Sequence, residues 1–476
     1  MTELYATARE MLADLEDKRI SARELLDLHV ARNDAVGPKL NAVVATDLDH
    51  ARAAAKSIDD ARAHGAALGK LAGLPMTIKD GFDVTGMPAT SGNPAWASRD
   101  KNCVDADVVN AARKEGAVIW GKTNVPFMLS DFQSYNSIYG TTNNPYDLTH
   151  TPGGSSGGAA AALAAGITPL EIGSDIGGSL RHPANWTGVC SLKPTWGALS
   201  LRGHIPPAPG HYYESDLGVA GPMARNIGDL RLLWNVLRGQ SGREFEPVHK
   251  ARIAVWDEEP SWPLANEVRE HVDLAASALS RTGARVAHAR PDIDAAHMMN
   301  FYRVLLMAII GAGLPEEMTR PLEAMRDSDR ALVRAGGEGS AEASTRLGMA
   351  ASYRDVAWAE AERQTAKDRL DEFFDDYDAI LMPIGMTTSF PHLQEPSFPE
   401  RVLEVNGTKV PYPAMLNWIA PATVLHAPAL AVQAGRTAKG LPVGVQLVGR
   451  WDQEDRLFDL AAALERELGG FSPPPL

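Results

Sequence analysis

The chain has two cysteines, Cys103 and Cys190, in 476 residues. One disulfide is arithmetically possible, but two thiols build neither a disulfide scaffold nor a zinc site, and reduced thiols are expected. Positive charge is in deficit: 46 Lys and Arg stand against 60 Asp and Glu, a formal net charge of -14. No lysine or arginine run interrupts that balance, so nucleic acid, which needs a basic footprint, is not an expected partner. No apolar run reaches the about 18 residues of a membrane span. The amino-terminal MTELYATARE is too polar for the core of a signal peptide. No membrane association is expected, and a cytoplasmic location follows by default. Internal repeats are missing as well.

What is present is ordinary globular material, 45% hydrophobic and 22% charged, with length enough for a large core. Ser21-Ala22-Arg23-Glu24 has capping-box form and opens a helix in which His29 reads as a surface residue. A second helix is expected from Asp47 to His64. Gly73 to Asp80 alternates, with Leu74, Met76 and Ile78 on one side and Thr77 and Lys79 on the other, which is strand period. A helix from Asp105 to Gly116 and a buried strand from Ala117 to Gly121 follow. Residues 124–151 are irregular, and a loop of that length is usually functional. Beyond Arg252 come a strand at Ile253–Val255 and a mostly helical stretch over 264–375. The polar, glycine-containing run Asp327–Thr345 is expected to be a mobile connection. Strands at Ala379–Pro383, Leu430–Gln433 and Val443–Val448 and a helix from Gln453 to Leu468 close the chain. Helix and strand signals alternate throughout, which implies one large α/β domain. Within residues 1–476 we expect amino-terminal helices (1–65), a catalytic core (66–230), a variable helical region (250–400) and a carboxy-terminal return to the core (401–476).

The stretch Pro152–Arg181, PGGSSGGAAAALAAGITPLEIGSDIGGSLR, holds two glycine-serine clusters. Gly153-Gly154-Ser155-Ser156-Gly157 has the form G-x-S-x-G of a nucleophile elbow, but Asp147–Pro152 before it is polar and ends in proline, a poor buried strand. The alanines from Gly157 to Ala165 favour a helix, so Ser155 or Ser156 sits where an N-cap would. No G-K-[ST] follows, which excludes a P-loop. Pro169–Gly173 reads as a strand running into Ser174-Asp175-Ile176-Gly177-Gly178-Ser179. There the glycines let the N–H groups of Ile176, Gly177, Gly178 and Ser179 converge around an acyl group on Ser179. An ordinary tight turn has the same residues. A serine nucleophile needs a base, and none of the 13 scattered histidines stands out. Lys79 can serve if burial lowers its pKa; beside Asp80 it also reads as half of a surface ion pair.

Taken together, GLPMTIKD (Gly73–Asp80), PGGSSGGAAAALAAG (Pro152–Gly166), GSDIGGSLRHPA (Gly173–Ala184), SLKPT (Ser191–Thr195), DAILMP (Asp378–Pro383) and GLPVGVQLVG (Gly440–Gly449) resemble the amidase signature family of serine hydrolases. The separation of Ser155 from Ser179 is the one that family uses. The resemblance implies a single domain with a central twisted mixed sheet covered by helices on both faces. It implies a Ser–cis-Ser–Lys triad with Ser179 as nucleophile, Ser155 as the bridging serine and Lys79 as base. Ile176, Gly177, Gly178 and Ser179 would form the oxyanion hole. Asp175 and Arg181 would hold the nucleophile loop, and Ser156 would support the lysine or cap the helix. No metal and no organic cofactor are implied. The family often has threonine at the position of Ser174 and asparagine at that of Gly81. Cys190 needs no catalytic role beside a complete serine system.

By analogy with the family, Phe127, Met128, Leu129 and Phe132 would line the acyl pocket, with contributions from Trp196–Tyr213 and the variable stretch after 300. These residues are apolar, so a hydrophobic or aryl amide is the expected small-molecule substrate, with carbamates or esters open to the same chemistry. The alternative is the glutaminase-type subunit of a tRNA-dependent amidotransferase, acting with partner subunits. A catalytically dead scaffold is a third reading, opposed by the presence of all three triad residues. A homodimer is compatible with everything above.

Overall fold

Along the core strands, alternate side chains enter two different apolar clusters. Ile253 and Val255 join one and Ala254 the other; Leu381 joins the first, Ile380 and Met382 the second; Leu430 and Val432 part from Ala429 and Ala431 in the same way. A strand whose two faces are both buried must lie inside a sheet with layers on either side. The computed structural model, which describes residues 4–99, 103–210 and 213–476, shows that sheet. Its eleven strands run in the order Val43–Thr46, Val118–Thr123, Pro75–Lys79, Leu170–Asp175, Val219–Ala224, Cys190–Lys193, Ala429–Arg436, Pro442–Val448, Ala379–Pro383, Arg252–Val255 and Arg285–His288. Pro75–Lys79 is parallel to both neighbours, whereas Leu170–Asp175 and Val219–Ala224 are antiparallel, so the sheet is mixed. Helices flank it, and the domain matches the expected class. Residues 1–3, and His211 and Tyr212 of the Gly203–Tyr213 loop, lie outside the described residues. No described helix is long and apolar enough to cross a membrane.

The elements that carry the site follow their local sequence. Leu74, Met76 and Ile78 enter one core cluster, which turns Lys79 to the opposite face. The alanine run forms the helix Gly157–Ala164, every residue of it buried. Ser21 closes a capping box with Glu24 at the start of the helix Ala22–Leu40.

Two expectations are corrected. His29 is not on the surface: it is fully buried, with Nδ1 3.2 Å from the carbonyl of Gly166, and burial pushes its pKa down to about 4. The helix carrying it is covered by the chain that leaves the alanine helix. Asp327–Thr345 is not a loose connection: it forms parts of the helices Arg326–Ala335 and Ser340–Met349, tied by the Asp329–Arg346 ion pair at 2.5 Å. The glycines lie only in the turn between them. Strands at Val43–Thr46, Cys190–Lys193, Val219–Ala224 and Arg285–His288 were not expected.

Candidate active site

Lys79 ends its strand with no exposed surface. Its Nζ lies 2.7 Å from Ser155 Oγ, 3.0 Å from Ser174 Oγ and 3.2 Å from the carbonyl of Ser174. Burial pushes the ammonium down to about 7, against the opposing pull of Asp175 and Glu171. The surface ion pair with Asp80 does not form. Strand alternation sends Asp80 the other way, where its carboxylate meets the buried Lys122 at 3.2 Å.

Ser155 follows a cis peptide bond from Gly154. Ser156 occupies the N-cap position of the alanine helix, but its side chain does not cap. Its hydroxyl donates instead to the Ser174 carbonyl at 3.3 Å, the same oxygen that accepts from Lys79. The Ser156 N–H donates to the Ser179 carbonyl at 3.2 Å, so the two glycine-serine clusters lie against each other.

The turn carrying Ser179 is held by Asp175. One carboxylate oxygen accepts from Gly178 N–H at 2.8 Å, and the other from Leu180 N–H at 3.1 Å; Arg181 bridges both oxygens at 3.1 Å. Arg181 also donates to Ile419, Thr423 and Gln446, so the turn is pinned to the carboxy-terminal part of the chain. Burial alone would raise the Asp175 pKa; the Arg181 guanidinium overrides it and holds the carboxyl well below its usual range. Gly178 has φ +91, where a side chain would be strained and would also strike His182. Because its N–H is spent on Asp175, Gly178 drops out of the expected oxyanion hole. The N–H groups of Ile176, Gly177 and Ser179 have no acceptor among the described residues.

The expected pocket residues separate. Phe132 is buried, its ring against His182, Tyr412 and Phe398 at 5.2 to 5.6 Å. Met128 and Leu129 turn instead toward the loop after Lys79, where Met128 N–H donates to Ser91 at 2.7 Å and the Leu129 side chain approaches Gly81. Phe127 is exposed. Several groups around Ser179 and Lys79 were missed. Leu416 lies over Gly177 and Ile419 over Gly178. The Tyr302 hydroxyl donates to the Ile176 carbonyl at 3.3 Å. His182 is fully buried, and burial followed by Arg181 pushes it down to about 3. Glu171, raised to about 7 by burial, accepts from Thr123 Oγ1 at 2.7 Å. Of these, Tyr302 fell in the variable stretch after 300 and His182 in the motif Gly173–Ala184, but neither was singled out. Cys190 is buried and burial raises its thiol pKa, which suits a packing role.

Known proteins resemble this chain in sequence and in fold. A family model described as Amidase matches residues 24–458. A glutamyl-tRNA(Gln) amidotransferase subunit of Anaeromyxobacter dehalogenans is 33% identical over 503 residues, covering 98% of this chain and 97% of its own. Among solved structures, a bacterial aryl acylamidase of the amidase signature family superposes with a TM-score of 0.79 at 25% identity, over 97% of this chain and 96% of that one. The corresponding amidotransferase subunit of Thermotoga maritima gives 0.74 at 26% identity, over 100% and 98%. A model match over most of the chain, joined to relatives alike along their whole length, places it: the chain belongs to the amidase family, the amidase signature enzymes that act on amide carbon–nitrogen bonds.

Proposed function

We propose that the protein hydrolyses an amide through an acyl-enzyme on Ser179, with Ser155 and Lys79 relaying the proton. The observation that carries this reading is the 2.7 Å contact between Lys79 Nζ and Ser155 Oγ inside a site that pushes the lysine down to about 7. A neutral lysine takes the Ser155 proton while Ser155 takes that of Ser179. The Ser179 oxygen attacks the amide carbonyl, and the N–H groups of Ile176, Gly177 and Ser179 receive the oxyanion. The returning proton goes to the leaving amine, and water releases the acyl group by the same route. Protonated Lys79 cannot accept, so kcat/KM is expected to rise with pH through a midpoint at about 7. A profile flat from pH 6 to 8.5 would exclude Lys79 as the titrating base.

The acyl group is proposed to be apolar or aryl. The side chains over Gly177 and Gly178 are Leu416 and Ile419. Two nearby carboxylates are already paired, Asp175 with Arg181 and Asp131 with Arg401. A second reading, the glutaminase-type subunit of a tRNA-dependent amidotransferase, is favoured by the names of the sequence relatives. A panel of anilides, aliphatic amides, carbamates, esters and glutamine, offered to the purified chain alone, separates them. Anilide turnover without glutamine turnover supports the first reading. Glutamine turnover that rises when partner subunits are added supports the second.

A further inference from the structure

A hydrogen inventory around Lys79 leaves one hydroxyl hydrogen to be placed. A neutral lysine has two N–H donors and one lone pair. For the lone pair to face Ser155, both N–H groups must be donated elsewhere, and the acceptors in reach are the Ser174 carbonyl at 3.2 Å and Ser174 Oγ at 3.0 Å. Ser174 Oγ must then accept, and its own hydrogen must point away from the lysine. His204 Nε2 lies 2.9 Å from that oxygen. The other ring nitrogen, Nδ1, is 2.9 Å from the carbonyl of Pro206, which can only accept, so the ring hydrogen sits on Nδ1 and Nε2 is free to accept.

We propose that His204 is a positioning residue for the base: Nε2 takes the Ser174 hydroxyl hydrogen, obliges Ser174 Oγ to accept from Lys79, and so keeps the lysine lone pair on Ser155. The inference rests on the reading of Lys79 as the base. No proton passes through His204; it sets a direction. Its placement is built into the chain after the lysine strand. Ile205 N–H donates to the Gly81 carbonyl at 2.7 Å, Asp83 N–H to the Gly203 carbonyl at 2.8 Å, and Ser91 Oγ to the Ile205 carbonyl at 2.6 Å. The Phe82 ring meets the imidazole edge-on at 4.9 Å. The titratable groups facing Lys79 are Asp175, Glu171 and His204. Burial, with Lys79 adding to it, holds His204 down to about 4, so the imidazole is neutral where the lysine works.

The test measures the second-order rate at which a fluorophosphonate probe modifies Ser179 in the full chain, from pH 6 to 9. His204→Phe is expected to slow labelling at pH 8 by about tenfold or more, the scale of a disturbed acid–base group. His204→Gln, whose carbonyl can accept from Ser174, is expected to stay within about threefold of the parent on the same scale. Adding His204→Phe to Ser174→Ala should cost little beyond Ser174→Ala alone, because both act through one hydroxyl. A merely structural histidine would give losses that multiply and no rescue by glutamine. Parent-like labelling by His204→Phe, or multiplying losses, would overturn the inference. Where phenylalanine does not fold, His204→Asn, too short to reach Ser174, reads the same coupling. Lys79→Ala is run alongside: unimpaired labelling there would sink the base assignment itself, whereas loss there with a parent-like His204→Phe sinks only the role of His204.

Discussion

Replacing Lys79 by methionine is expected to stop turnover and to stabilise the fold. The rate loss follows from the relay: without the amine, Ser155 has no group to receive its proton, and kcat/KM should fall by at least about a thousandfold. The gain in stability follows from the same burial that lowers the lysine pKa. The unfolded chain holds the Lys79 proton up to its ordinary value of 10.5, and the folded chain only to about 7. In between, the unfolded state binds more protons, so stability rises with pH. At neutral pH the buried lysine therefore costs about 4 to 5 kcal/mol. Methionine removes that cost and gives back about 1 to 3 kcal/mol for the hydrogen bond lost with Ser155. Ser174 Oγ keeps His204, and the Ser174 carbonyl keeps Ser156. Urea unfolding should show the variant more stable than the parent at pH 7, with the advantage shrinking toward pH 10. A variant less stable at pH 7 would mean that the site does not strain the lysine's charge.

Replacing Arg181 by leucine should destabilise the protein by about 3 to 5 kcal/mol, the cost of leaving one partner of a buried ion pair behind. Asp175 and Arg181 are both fully buried, and Asp175 would keep only the Gly178 and Leu180 amides as direct partners. Arg181 also donates to Ile419, Thr423 and Gln446, so its loss frees the nucleophile turn from the carboxy-terminal strands and helix. The double variant Asp175→Asn with Arg181→Leu removes both charges of the pair and should recover most of the stability. It should not recover the rate, because an asparagine has one oxygen for two amides and the turn loses its register. Urea midpoints and initial rates on the three proteins check this. A loss under about 1 kcal/mol in the single variant would show that the pair is not what holds the turn.

The features that were readable in sequence share one property: the signal and its cause lie close together along the chain. The alternation through Met76 and Ile78 placed Lys79 on its face, and the alanines of Gly157–Ala164 gave a helix packed on every side. The two serines were legible as a pair only through the resemblance, since each alone fits an ordinary turn. What sequence could not give depends on distant chain segments or on donors being shared. Leu416, Ile419 and Tyr302 reach the nucleophile turn from far down the chain, with no local feature to mark them. Gly178 has the form of an oxyanion donor in sequence, but the Asp175 carboxylate occupies its N–H. The strand Val219–Ala224 was hidden by Gly221-Pro222, which reads as a break; a Cβ at Gly221 would lie 2.1 Å from the Leu192 carbonyl of the neighbouring strand, so the glycine is what lets the strands meet. The Val43–Thr46 and Arg285–His288 strands have four residues each and sit at the sheet's edges, too short for periodicity to show.

One serine, Ser179, is proposed to carry the acyl group, with Lys79 activating it through Ser155. The measurement that tests this most directly is the site and rate of a covalent adduct, read by peptide mass after brief exposure of the purified chain to a fluorophosphonate at pH 8. A single adduct on Ser179 is expected, absent from Ser179→Ala and strongly slowed in both Ser155→Ala and Lys79→Ala. An adduct on Ser155, or one on Ser179 that forms as fast without Lys79, would contradict it.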